Sequence, residues 1–301
     1  MNSSKNKGSS IRARLLAIAK KENVQLEYLL LRYALERFLY RLGVSPYANQ
    51  FILKGASVFT VWLGPFCRVT RDADVEALGD VTPEKLIEAF KAICQIVDDD
   101  DAIEFDVDSF SYSVIKKEDK YPGTRIRFNA YVGGARVPLQ FDIGVGDSVY
   151  PKAETMTYPT LLPLNAPQIK TYPRYTIVAE KFSTMIIRGM LNSRLKDYYD
   201  LWLLSESFAF EGALLEEAIR RTFQRRNVDL PSTLPEAITQ AFAELPGKQT
   251  QWKAFIRTLG NAPTPASFED AITRIQHFLA PITWDTCFGN YSWHPSTKKW
   301  Q

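Results

Sequence analysis

Apolar positions in the first fifty residues recur at helical spacing. "IRARLLAIAKKEN" and "LEYLLLRYALERFLYRLG" both place apolar side chains three and four apart, and Gly43 and Pro46 end the second run. "QFILKGAS" then reads as a short apolar strand stopping at Lys54–Gly55, and "SVFTVWLG" as a short helix closed by Gly64–Pro65. "DADVEAL" is the next strand. In "TPEKLIEAFKAICQIV", Thr82 as N-cap and Pro83 at the first helical position mark a helix start. The stretches "IEFDVDSFSYSVIKK", "TRIRFNAYVGG" and "RVPLQFDIGVGD" alternate and are rich in β-formers, with Gly133–Gly134 as a hairpin turn. Residues 151–173 hold five of the seventeen prolines, so the spacing predicts irregular chain and a boundary there. Beyond it the pattern is helical over 175–189, 195–206, 211–225, 233–244, 249–260 and 266–279. The expected fold class is α+β in three parts: a helical N-terminal arm (1–46), a core built on a small mixed sheet (47–173) and a helical C-terminal domain (174–301).

Composition narrows the function classes. The chain has 301 residues, 46% hydrophobic and 24% charged, as in an ordinary soluble protein of one large or two modest domains. No apolar run reaches the roughly 18 residues that would span a bilayer, so no membrane partner is expected. "MNSSKNKGSS" is polar, lacks the apolar centre of a signal peptide and reads as a frayed tail. Cys67, Cys94 and Cys287 are far apart without zinc spacing, which suits a reducing cytoplasm. Two histidines, His277 and His294, leave little room for a histidine metal site or triad, so the catalytic vocabulary is Asp, Glu, Lys and Ser. The net charge of +3 is unevenly spread: residues 1–54 hold ten Lys/Arg against three Asp/Glu, while residues 72–108 are acidic. A basic arm suits a polyanion such as nucleic acid; a solvated helical face is the plainer alternative.

Chemistry concentrates around "RVTRDADVEAL". Aspartate is a poor strand former, yet Asp72 and Asp74 share one strand face, about 7 Å apart at their Cα atoms. Carboxylates held this way repel unless a cation joins them, and Mg²⁺ prefers one or two carboxylates plus phosphate oxygens. Just upstream, "KGAS" turns from strand to helix. There Gly55 permits close backbone approach to a phosphate, Ser57 offers a hydroxyl and the helix N-terminus offers N–H donors. In "PLQFDIGV", Leu139, Phe141 and Ile143 take one face, and Gln140 and Asp142 the other, giving a third acid; Asp147, further along, reads as a surface decoy. Each feature alone is ambiguous, since strand-end acids and glycine turns are common.

The order Gly-x-Ser, then Asp-x-Asp fifteen residues on, then an acid on a later strand resembles the nucleotidyltransferase superfamily core. A second cluster, "AEKFSTMIIRGMLNSRLKDYYDLWLL", puts Lys181 mid-helix with Met185 and Arg188 on its face. After a break at Gly189–Ser193, a new helix carries Asp197 and Asp200. Together with "LKGAS" and "R-x-T-R-D-A-D", this is similar to the AbiEii family of nucleotidyltransferase-like toxins in bacterial type IV toxin–antitoxin and abortive-infection systems, from about residue 25 to about 205. The resemblance implies a catalytic set of Asp72, Asp74, Asp142, Lys181 and Asp197. It implies Mg²⁺, up to two ions, on Asp72, Asp74 and Asp142, and an NTP held by Lys54, Gly55, Ser57, Arg71 and Lys181. The implied reaction moves a nucleotide to an RNA hydroxyl, the tRNA 3′ end, with Asp197 across a cleft from Lys181. A separately encoded AbiEi-type antitoxin is the implied partner.

Family members place Gly or Ser where Ala56 stands, and a helix-opening role survives there if Ala56 takes helical dihedrals. Lys181 could instead be a snorkelling helix lysine, Asp197 a helix cap and Arg71 a neutraliser of Asp72; Arg68 is a further phosphate candidate. Asp200 and Tyr198 read first as ion pairing and packing, and Trp62, Trp202 and Tyr199 as core. Two other functions fit the same residues: an NTP-binding regulator without transfer, and a transferase acting on a protein or small-molecule hydroxyl.

Overall fold

Ile11, Leu15 and Ala19 lie four apart and are all buried, so the first helix, α1 (Asn2–Glu22), docks one apolar stripe and leaves Arg12, Arg14, Lys20 and Lys21 exposed. It starts at Asn2, where the sequence suggests a frayed tail. Once the stripe is docked, each added turn costs little beyond nucleation, and the helix extends backward through the polar residues. The computed structural model describes residues 2–65, 70, 72–79, 81–115, 122–260, 262–284 and 288–301. These form two units, Met1–Gly146 with Glu154–Thr171, and Asp147–Ala153 with Tyr172–Gln301.

In the first unit α2 (Leu26–Val44) is followed by β1 (Phe51–Lys54), α3 (Ala56–Leu63), β2 (Ala73–Ala77) and α4 (Pro83–Cys94). Thr82 caps α4, its hydroxyl accepting from the Lys85 N–H. A meander of β3 (Ile103–Ile115), β4 (Gly123–Val132) and β5 (Ala135–Val145) comes next. Gly133 and Gly134, both at positive φ, make the two-residue turn between β4 and β5. The proline-rich stretch is less irregular than its composition suggests. It contributes β6 (Glu154–Thr157) and β7 (Gln168–Thr171), because Pro159, Pro163 and Pro167 lie between the two strands and leave both ladders intact. The seven strands run in the order β3-β4-β5-β2-β1-β7-β6. The β2–β5 and β1–β7 pairs are parallel and the others antiparallel.

One sheet face is apolar. Val137, Leu139, Phe141 and Ile143 of β5 are all buried. Phe38 of α2 packs its ring 4.6 Å from Phe141, 5.0 Å from Phe90 of α4 and 5.6 Å from Phe128 of β4. Each such ring contributes about 2–3 kcal/mol through burial. The even-numbered residues of β5, Asp142 among them, take the other face.

Several cations counted in the basic arm are interior. Arg41 pairs with Asp101 at 2.5 Å, and Arg37 with Glu36 at 3.0 Å, all four side chains being nearly or fully buried. The Leu161 N–H donates to Glu36 at 2.7 Å, and Arg37 donates to the Asn165 carbonyl at 2.8 Å, so α2 clips the 161–165 loop. Burial pushes the Glu36 carboxyl up to about 7, against the opposing pull of Arg37 and Arg32. Because the folded value lies above the unfolded one, this group's contribution is present at low pH and lost as pH rises towards 7, up to roughly 3 kcal/mol. Urea unfolding should therefore find Glu36→Gln equal to wild type at pH 4.5 and more stable than it at pH 8. An equal loss at both pH values would show that Glu36 is ionised throughout.

The second unit contains α5 (Arg174–Arg188), α6 (Leu195–Ser207), β8 (Phe210–Glu211), α7 (Gly212–Arg226), α8 (Gln240–Ala243), α9 (Pro246–Ile256), α10 (Phe268–Trp284), β9 (Ser292–His294) and β10 (Lys299–Trp300). The single helix expected over 233–244 is a 3-10 turn at Glu236–Ile238 followed by α8. Thr239 interrupts it: its backbone is extended and its hydroxyl accepts from the Phe242 N–H, starting a new helix. The three-stranded sheet β10-β9-β8 was not legible as helical pattern. It is pinned by buried Trp293, whose indole donates to the Ser205 carbonyl at 2.7 Å. Among the described residues, no helix is long and apolar enough to cross a membrane.

Candidate functional site

Four strands bring four charges into one row. Lys54 of β1 pairs in register with Asp74 of β2, Asp74 with Asp142 of β5, and Asp142 with Arg125 of β4. Partners in register on neighbouring strands point to the same face, with Cα atoms about 5 Å apart. The row therefore reads cation, acid, acid, cation across the sheet face opposite the phenylalanine core. Asp72 sits at the bend leading into β2, and the Thr70 hydroxyl lies 3.0 Å from its carboxylate. Asp147 lies two residues beyond the end of β5.

Gly55 makes the junction between β1 and α3 possible. Its φ of 63° and ψ of −147° suit glycine almost alone, and a Cβ there would run into the Asp74 carboxylate. Gly55→Ala should cost about 1–3 kcal/mol and displace Asp74, lowering both the melting temperature and NTP binding. Wild-type values for both would mean that this backbone relaxes freely. Ala56 opens α3 and is not among the residues at positive φ, so the alanine in place of glycine or serine imposes no strain. Ser57 follows in the first turn; its hydroxyl is buried and has no hydrogen-bond partner among the described residues. An unmatched buried hydroxyl is costly, and a phosphate oxygen at the helix N-terminus would satisfy it.

Lys54 does not stand alone in the site. Its ammonium lies 2.7 Å from buried Glu76, two residues beyond Asp74 on the same face. Gly144 leaves room for that pair, since a Cβ there would lie 2.6 Å from the Lys54 ammonium. Asp142 is held from the other side. Arg125 donates from Nε and Nη2 to its two carboxylate oxygens, both at 2.6 Å. The carboxylate of Asp142, with Asp72 and Asp74 nearby, holds the Arg125 guanidinium above its ordinary value despite partial burial. Thr70, Glu76 and Arg125 were not singled out from the sequence. Arg125 could have been: counting back equally from the Gly133–Gly134 turn brings it opposite Asp142.

For a divalent cation the donor chemistry is favourable at Asp72 and Asp74, hard oxygens at the mouth of one strand. Among the described residues, no three His, Cys, Asp or Glu side chains converge closely enough to hold a metal ion. The site thus fits an ion completed by substrate phosphates better than a full protein cage. Arg71, expected at the triphosphate, and Arg68 lie outside the described residues.

The second unit holds the other expected pair. Lys181 of α5 lies 2.8 Å from Asp197 and 2.6 Å from Asp200, one turn apart on α6, and Arg194 approaches Asp197 at 2.6 Å. Both aspartates are buried and Lys181 is mostly so. Asp197 does not face Lys181 across a cleft: the two are in direct contact on adjoining helices. Burial alone would raise the Asp197 carboxyl, but Lys181 and Arg194 outweigh it and hold the group well below the usual range. Tyr198 and Tyr199 are buried, stacking on Phe242 and donating to the Pro263 carbonyl respectively, as core residues do.

Comparison with known proteins adds the family. A Helicobacter pylori structure, JHP933, is 13% identical at a TM-score of 0.49, covering 86% of this chain and 91% of its own. A second Helicobacter pylori structure is 13% identical at 0.46, covering 86% and 96%. Neither likeness bears on the chemistry of this chain. No curated protein matches it. The family described as "Nucleotidyl transferase AbiEii toxin, Type IV TA system" matches residues 37–274, which span the charged row, the glycine turn and the Lys181 cluster. The chain therefore belongs to the AbiEii family of nucleotidyl transferase toxins of type IV toxin–antitoxin systems.

Proposed function

We propose that this toxin moves a nucleotide from an NTP to a hydroxyl of RNA, the 3′ end of tRNA, with Mg²⁺, in the cytoplasm, so that translation stops. The new phosphodiester forms as the α–β phosphoanhydride breaks and pyrophosphate leaves, with the hydroxyl proton lost to solvent. An antitoxin of the AbiEi type, separately encoded, would counter it. The observation that carries this reading is the row Lys54–Asp74–Asp142–Arg125 beside the Gly55 turn. Asp72 and Asp74 would hold the ion. Charge supplied at these two carboxylates would offset that of the triphosphate and of the departing pyrophosphate. Gly55 lets the triphosphate approach the backbone, while the α3 N-terminus and Ser57 supply donors. Most of the rate then comes from positioning and charge stabilisation, with little covalent work for the protein.

The reaction is tested by incubating the purified chain with each radiolabelled NTP, Mg²⁺ and total bacterial RNA. Label should enter RNA. Label in protein or in a small molecule would move the acceptor to those classes, and NTP binding without transfer would favour a regulator.

The exposed basic side of α1 is the candidate RNA contact. Changing Arg12, Arg14, Lys20 and Lys21 together to Gln should flatten the log–log salt dependence of RNA binding by about two to three units, as each lost phosphate contact removes about 0.7. NTP binding should persist. An unaltered slope with lost neutralisation by the antitoxin would assign this helix face to the antitoxin instead.

A further inference from the structure

Arg125 raises a question about how many cations the site takes. Its guanidinium lies against Asp142 in a two-pronged bond, 2.6 Å at each contact, with the Gln140 amide 3.4 Å from one of the same oxygens. Gln140 is turned that way by Arg127, which donates to its carbonyl oxygen at 2.9 Å. Arg127 and Gln140 face each other in register just as Arg125 and Asp142 do, so the β4–β5 ladder fixes the whole arrangement. The guanidinium takes one lone pair on each Asp142 oxygen and the Gln140 amide approaches a second on Oδ1, which leaves about one of the roughly four lone-pair sites for a cation. A lysine could yield to an incoming ion by losing its proton, but a guanidinium stays charged. An ion at Asp142 would have to expel Arg125 or sit against it.

We propose that Arg125 stands in for a second cation: it holds Asp142 as a positioning residue, and the site works with one divalent ion on Asp72 and Asp74. This rests on the metal-dependent transfer proposed above. Asp142 takes two of the five guanidinium donors, and the remaining ones can meet a phosphate oxygen of the NTP. The side chain is 29% exposed, enough for a ligand to reach it.

Mn²⁺ titration of the full-length chain holding one equivalent of a non-hydrolysable NTP analogue, followed by electron paramagnetic resonance of the free ion, counts the sites without recourse to activity. Wild type should bind one Mn²⁺. Asp74→Asn should weaken that binding about tenfold or more, while Asp142→Asn should still bind one. Arg125→Gln, which keeps its place in the ladder, should bind two. If Arg125→Gln fails to fold, wild type and Asp142→Asn still decide the matter. Two ions in wild type falling to one in Asp142→Asn would overturn the proposal, as would a folded Arg125→Gln that binds only one. An absence of Mn²⁺ binding, or indifference to Asp74→Asn, would instead remove the underlying metal-dependent reading.

Discussion

Asp74→Asn should lower nucleotide transfer on the order of a thousand-fold and abolish growth inhibition, while the melting temperature stays near that of wild type. The asparagine matches the carboxylate in shape, so the close approach of Gly55 to this side chain is kept. The charge that would hold the cation is lost. Folding should not suffer, because Asp74 lies in register beside Asp142 and follows Asp72 by two residues, and removing one of three neighbouring carboxylates relieves repulsion. Label incorporation into RNA, a growth assay and a thermal melt measure the three quantities. Retained transfer would remove Asp74 from the chemistry; a lowered melting point would make it a structural residue.

Lys181→Ala should act mainly on stability. The lysine lies between two buried carboxylates, Asp197 and Asp200, and its removal takes a counter-ion from both, with Arg194 still beside Asp197. Breaking a buried ion pair from one side costs about 3–5 kcal/mol, or roughly 10 °C in melting temperature for a unit of this size. The pH dependence identifies the cause. In wild type the lowered Asp197 carboxyl contributes stability that is present above the unfolded value and lost as pH falls through the folded one. In the variant Asp197 loses one of its two counter-ions and takes up a proton more readily, so the deficit should shrink on acidification. Lys181→Ala with Asp200→Asn should recover part of the loss at neutral pH. A variant that melts like wild type but binds NTP weakly would show that Lys181 chiefly serves the triphosphate.

Local patterns carried much of the fold. The Thr82–Pro83 start of α4, the Gly133–Gly134 turn and the alternation of "PLQFDIGV" each depend on neighbours in the chain, and each is realised as read. Misread segments were those in which distant contacts outweighed composition. The polar start became helix because Ile11, Leu15 and Ala19 had somewhere to dock. Residues 210–211, 292–294 and 299–300 became strands only through pairing with one another.

The charged residues divide in the same way. Sequence alone determined which acids could matter, since Asp72 and Asp74 stand two apart where β2 begins and Gly55 must allow what no side chain permits. It also carried the two short clusters on which the family resemblance rests, both inside the matched residues 37–274. Tertiary structure decided the partners. Whether a cation is a surface charge, a ligand contact or half of a buried pair depends on which strand or helix lies beside it. Arg37 and Arg41 look like part of a basic arm, yet both are interior. Lys54 is drawn to Glu76 by the β1–β2 register, Lys181 to two aspartates by the packing of α5 on α6, and Asp142 to Arg125 by the β4–β5 ladder. Charge pairing acts over a few ångströms in space, and separation along the chain says little about it until the strands have found their order.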